Sequence, residues 1–141
     1  MSNDIQETAL LEPVAKYVRK KGYRFQESEV DFYDYRVDLY AFSRALKQTV
    51  AIELKVRDWR RAFEQAIIYQ LCADHVYIAM PMESIARIDR IMLAKNDIGL
   101  IGVSIGRGCK QILKAGQSHV VREWYKEAFI KSLQERKKWL R

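Results

Sequence analysis

The chain reads as an α/β protein with a mixed central sheet flanked by helices. Three observations predict this class. Short β-like runs alternate with amphipathic helical stretches. Two neighbouring strands are separated by one short segment, which favours an antiparallel hairpin. A later, nearly continuous apolar run has the composition of an interior strand buried on both faces.

Taken in order, residues 6–21, "QETALLEPVAKYVRKK", place Leu10, Val14, Tyr17 and Val18 at helical spacing, with Gly22 as the stop. "YRFQESEV" alternates weakly and is assigned as a first strand. "RVDLYAF" and "TVAIELKV" are clearer strands, joined through "SRALKQ" as a hairpin. "DWRRAFEQAIIYQLCA" is a helix with Asp58 as its N-cap. "HVYIAMP" is the interior strand, and "ESIARIDRIMLAKN" reads as one further helix. "GLIGVSI" and "KQILKAG" form two more strands around Gly106-Arg107-Gly108, and a basic helix from about Val121 to Arg141 ends the chain. No repeat, low-complexity tract or linker interrupts the 141 residues, so one domain is expected over 1–141, with its core at about 5–105 and the last strands and helix at about 106–141.

Composition narrows the function classes. No apolar run approaches the roughly 18–20 residues of a membrane helix, and the first residues lack the basic-then-apolar layout of a secretion signal. The expectation is a cytoplasmic protein with no membrane partner. Cys72, three residues before His75, and Cys109 have no second Cys or His pair that would complete a zinc set and are expected to be reduced thiols, and neither His75 nor His119 is expected to do chemistry. The formal charge of +7 favours a polyanionic partner such as nucleic acid.

The hairpin carries the chemistry. If it closes symmetrically about Ala45 and Leu46, Asp38 faces Glu53, Leu39 faces Ile52 and Val37 faces Leu54. One face is then Val37, Leu39, Ile52, Leu54 and Val56, all apolar, while the other gathers Asp38, Glu53 and Lys55. Directly opposed carboxylates have Cβ atoms about 4.5–5.5 Å apart and destabilise a sheet unless something offsets their repulsion. Lys55 offsets part of it, and a Mg²⁺ or Mn²⁺ ion would do so more fully, because hard cations favour carboxylate oxygens. A solvated strand face with a chance ion pair is the competing reading of the same spacing.

Asp38 followed by Glu53-Leu54-Lys55, within the order α-β-β-β-α-β, resembles the signature of the PD-(D/E)XK nuclease superfamily and its restriction-endonuclease-like core. Gln65-Ala66-Ile67-Ile68-Tyr69 on the following helix resembles the Q-x-x-x-Y element of the RecB-type and lambda-exonuclease-type branches. The resemblance spans roughly residues 5–105, and it departs from the family name at Val37, where that name has proline.

The resemblance implies a metal-dependent nuclease acting on DNA, with Mg²⁺ or Mn²⁺ held by Asp38, Glu53 and the main-chain carbonyl of Leu54. Lys55 would orient the attacking water and stabilise charge on the phosphate, with Gln65 and Tyr69 near the metal and the DNA backbone. A first-helix glutamate commonly completes such sites. Glu7 shares the inward face of Leu10 and Val14, whereas Glu12 points to the opposite side, so Glu7 is the choice and Glu29 an outside candidate. Arg57, Arg60 and Arg61 around Trp59 suit a phosphate-binding cluster, and equally a solvated helix start. The terminal "QERKKWLR" reads either as a DNA grip or as a docked basic helix. For a nuclease of this size the resemblance also suggests a homodimer or larger homo-oligomer on duplex DNA. The alternatives are a catalytically inert nuclease-fold module that binds nucleic acid within a larger complex, and a small interaction protein, which leaves the opposed carboxylates unexplained.

Overall fold

The structure is a computed structural model that describes residues 5–139, with side chains through residue 135. Six strands form one mixed sheet in the order β1-β2-β3-β4-β5-β6, which is also their chain order: Phe25–Phe32, Tyr35–Ser43, Gln48–Leu54, His75–Pro81, Ile98–Ser104 and Gly108–Leu113. The β1/β2, β2/β3 and β5/β6 pairs are antiparallel, and β3, β4 and β5 run parallel. The parallel strands are the most continuously buried, as expected of strands covered on both faces.

Helix α1 (Thr8–Lys20) covers one face. It is amphipathic at 3.6-residue spacing and buries Leu10, Val14 and Val18 against Leu39, Val50, Ile52, Leu54, Ala79 and Ile101. Each such side chain contributes about 1.5–3 kcal/mol on burial, enough to hold the helix despite Pro13 inside it. The other face is covered by α2 (Trp59–Tyr69), α3 (Arg90–Lys95) and α4 (Glu123–Trp139), packed on Tyr40, Phe42, Ala51, Val76, Ile78 and Leu100. Within α4, Phe129 stacks on Tyr40 at a centroid distance of 4.6 Å, and Leu133 is buried.

The hairpin has the expected register: Leu39 pairs with Ile52, Ala41 with Val50 and Ser43 with Gln48 across residues 44–47. Other elements depart from expectation. The stretch read as one helix over residues 83–96 is a 3₁₀ turn at Met82–Arg87 followed by α3. Ile88 between them is extended (φ −91°, ψ 134°) and buried, and the Asp89 carboxylate accepts the Met92 N–H at 3.1 Å, so it caps a new helix. The last strand begins and ends earlier than expected. Residues 114–116 leave the sheet, and the Gly116 N–H donates to the Asp97 carbonyl.

Val37, expected beneath α1, instead joins the α2-side core. The β1/β2 pairing is broken between Ser28↔Leu39 and Val30↔Val37 by Glu29, which has φ +54°. A left-handed residue in an edge strand re-aims the chain locally, so strict two-residue alternation fails around it.

A buried ion pair ties α4 to the sheet. Asp74, 4% exposed, accepts the Thr49 N–H and hydroxyl at 2.8 and 3.1 Å and pairs with Lys126 Nζ at 3.0 Å. Gln117 Nε2 adds a further donor at 3.2 Å. The Ser118 hydroxyl donates to the Gln70 carbonyl at 2.6 Å nearby.

Candidate active site

Extending the hairpin register by one residue sets Asp38 across from Glu53, both on the face covered by α2. Alternation buries Val50, Ile52 and Leu54 under α1, which obliges Glu53 to enter the opposite core. Glu53 is 5% exposed there. Its Oε1 accepts the Tyr69 hydroxyl at 3.2 Å, and the Asp38 Oδ2 accepts the Leu54 N–H at 2.8 Å.

The two carboxyl groups are within hydrogen-bond reach of each other. Burial, and then the charge of Asp38, push Glu53 up to about 8. Burial also raises Asp38, against the pull of the Leu54 N–H. Both shifts favour the protonated form, because two adjacent desolvated carboxylates cannot both ionise at ordinary cost.

Lys55 follows at the strand end, and its N–H donates to the Ala79 carbonyl. Its Nζ lies 3.6 Å from Oε1 of Glu7, the residue that opens α1. Glu7 thus joins the site, and it acts electrostatically on Asp38. Glu12 lines a separate groove against the β5–β6 turn. Glu29 is exposed on the edge strand β1.

Two clefts open beside this centre. One, of about 380 Å³, is bounded by Glu7, Lys55, Arg57 and Arg61. The second, of about 480 Å³, is bounded by Tyr35, Arg60, Arg61 and Gln65. They share Asp58 and Arg61. Asp58 takes a left-handed conformation (φ 57°, ψ 62°) and caps α2 through the Arg61 N–H at 3.3 Å, and this turn presents the three arginines at the helix start. Arg60 lies over the Trp59 ring, 5.3 Å from its centroid.

Tyr69, expected on the DNA backbone, is fully buried. Its hydroxyl is committed to Glu53 and to the Arg36 carbonyl at 2.9 Å, so it is a positioning residue behind the carboxylates. Gln65 sits one helical turn earlier on the same face. Its Oε1 is buried and, among the described residues, has no hydrogen-bond partner. Tyr35, missed in the sequence, lines the cleft beside Gln65. The signal available was its place at the start of the strand that carries Asp38.

Among the described residues, no group of three or more His, Cys, Asp or Glu side chains is arranged to hold a metal ion. The donor chemistry nevertheless fits a hard divalent cation. Mg²⁺ takes one or two carboxylates and fills its remaining positions with water and substrate oxygens. Asp38 and Glu53 are opposed carboxyl groups whose repulsion a cation would offset, and Gln65 Oε1 is an orphaned acceptor on the adjacent helix. Both cysteines are free and both thiols are raised by burial, Cys72 to about 12 and Cys109 to about 11, which leaves them poor metal ligands. Among the described residues, no helix is long and apolar enough to cross a membrane.

No protein-family model matches the chain, and neither does any curated protein. Among solved structures, the chain is similar to the SPO1766 protein of unknown function from Silicibacter pomeroyi. The TM-score is 0.71 at 19% identity, over 96% of this chain and 88% of that one. At that identity the likeness shows a common α/β fold, a six-stranded mixed sheet between helices, and nothing of activity.

Proposed function

We propose that this chain has a restriction-endonuclease-like fold and is a Mg²⁺- or Mn²⁺-dependent nuclease that hydrolyses DNA phosphodiester bonds. One observation carries the reading: two opposed carboxyl groups, Asp38 half-buried and Glu53 buried, at the end of facing strands with Lys55 beside them and arginine-lined clefts opening outward. A phosphodiester is anionic and repels hydroxide, so its hydrolysis needs charge neutralised and a water activated.

Asp38 and Glu53 would hold the cation, with the Leu54 carbonyl and Glu7 as further oxygen donors. The cation, when bound, supplies Lewis acidity and a more acidic water. Tyr69 holds the Glu53 carboxyl beside Asp38. Lys55, paired with Glu7 beside the cleft, would orient a nucleophilic water and stabilise charge developing on the phosphate. Gln65 offers its unpartnered oxygen as an acceptor for a water or substrate hydrogen. Arg57, Arg60 and Arg61 would receive the flanking phosphates, and duplex substrates would engage a homodimer or larger assembly.

The test is incubation with single- and double-stranded DNA in Mg²⁺, Mn²⁺ or EDTA, beside Lys55→Ala and Glu53→Gln. Metal-dependent cleavage lost in both variants is the expected result. Cleavage that persists in both would sink the site assignment. Tight, salt-sensitive binding without cleavage on any substrate would favour an inert nucleic-acid-binding module instead.

A further inference from the structure

The sheet carries a second concavity, on the α1 face and at the opposite end from the carboxylates. Its volume is about 500 Å³, within the range of small-molecule sites. Gln48 on its rim begins β3, five residues before Glu53, which sets the two places about 17 Å apart along the strand.

Three tyrosines wall it. Tyr17 comes from the last turns of α1, Tyr23 from the segment after it, and Tyr77 from β4. All three line the same cavity. The Tyr77 hydroxyl donates to Gln111 Oε1 at 2.9 Å. Among the described residues, the hydroxyls of Tyr17 and Tyr23 have no hydrogen-bond partner, although both side chains are half-buried. Tyr77 lies against Gly99, its register partner on β5, where a Cβ would collide with the ring and with the Ala115 backbone. The ring position is therefore built into the backbone of the sheet. His75 is likewise held, between Gln48 Oε1 at 2.6 Å and the Gly116 carbonyl at 3.2 Å.

The charged side chains that line the cavity have one sign. Lys21 and Lys114 line the cavity, and no aspartate or glutamate does. Lys21 lies 5.4 Å from the Tyr17 ring centroid, and among the described residues neither lysine has a carboxylate partner. Asp74, next in sequence to His75, is neutralised by Lys126. Aromatic walls take a planar ring by stacking, two unpaired ammonium groups take an anion, and the free hydroxyls and Gln amides supply directional hydrogen bonds.

We infer that this cavity binds a nucleoside monophosphate group, with the base against the tyrosines and the phosphate on Lys21 and Lys114. The group could be a free nucleotide or the 5′-phosphorylated end of a strand, which share this chemistry. The site is independent of the carboxylate centre, so its test does not depend on cleavage.

The experiment is calorimetric titration of the full chain, in EDTA, with dAMP, deoxyadenosine, inorganic phosphate and a 5′-phosphorylated tetradeoxyadenylate. The expected result is saturable dAMP binding with Kd below about 1 mM, and deoxyadenosine and phosphate each weaker by about tenfold or more. Lys114→Glu and Lys21→Glu, both at exposed positions and checked for folding by circular dichroism, each weaken dAMP by about tenfold or more. Glu53→Gln leaves binding unchanged. Tighter dAMP than tetranucleotide assigns a free nucleotide, and the reverse order assigns a strand end. Absence of saturable binding by both dAMP and the tetranucleotide would overturn the inference. Binding that survives both lysine reversals, or that disappears in Glu53→Gln, would overturn it equally.

Discussion

Replacing Glu53 by glutamine removes a titrating member of the carboxyl pair, and the consequence can be read from stability alone. Burial and the Asp38 charge raise Glu53 from 4.5 to about 8 in the folded protein. A folded-state value above the unfolded one means that folding favours the protonated form. The stabilisation is then fully present below about pH 4.5 and is lost as pH rises through about 8. At about 1.4 kcal/mol per pH unit, the loss over that window is bounded by about 5 kcal/mol. Sharing of charge with Asp38 and relaxation around the site reduce this to about 2–4 kcal/mol.

The assay is urea unfolding followed by circular dichroism at pH 5, 6.5 and 8. The wild-type protein loses about 2–4 kcal/mol across the series relative to Glu53→Gln, whose amide has no proton to release. Mg²⁺ added at pH 8 recovers part of the wild-type loss, since a ligand that binds only the folded state stabilises it, and leaves Glu53→Gln unmoved. Parallel pH profiles for the two proteins would refute the reasoning, because Glu53 would then ionise as freely folded as unfolded.

Two further perturbations separate structure from chemistry. Lys126→Ala leaves Asp74 charged and buried without its cation, and should cost about 3–5 kcal/mol in thermal or urea unfolding. Asp74→Asn with Lys126→Met should recover part of that loss. Gln65→Met removes a buried oxygen that has no partner among the described residues, so stability should hold or rise by about 1 kcal/mol while DNA cleavage in Mg²⁺ falls. A loss of both stability and cleavage in Gln65→Met would show that the side chain is structural.

The hairpin was legible because a period-two pattern tolerates no slip. With Leu39, Ile52 and Leu54 required beneath a helix, Asp38 and Glu53 had to share the other face. Glu7 was legible from helix phase against Leu10 and Val14. What escaped was set by backbone conformations that ordinary residues do not announce. Glu29 takes a positive φ opposite this part of β2, where Val37 joins the other core, and the extended Ile88 splits an apparently continuous helix. The depth of Tyr69 was also hidden, because an aromatic at i+4 from Gln65 reads alike whether its hydroxyl meets solvent or a carboxylate. The Asp74–Lys126 pair joins residues from the start of β4 and from α4, a distance in sequence that no local pattern spans.

Among the described residues Glu53 and Asp74 are the buried carboxylates, and they are answered in opposite ways, which bears on which of them is structural. Asp74 receives two donors from Thr49, one from Gln117 and the ammonium of Lys126. Its desolvation is compensated by the chain, and its role ends with docking α4. Glu53 is as deeply placed but is set against a second carboxylate, and its positive neighbour Lys55 is shared with Glu7. The same fold that supplied a complete donor set to Asp74 set this pair against each other, which raises both carboxyl groups toward their protonated forms. One proton neutralises only one of the two carboxylates, whereas a divalent ion would offset the charge of both at once. Such a deficit is costly in a fold of this size and is most simply retained where something from outside completes it.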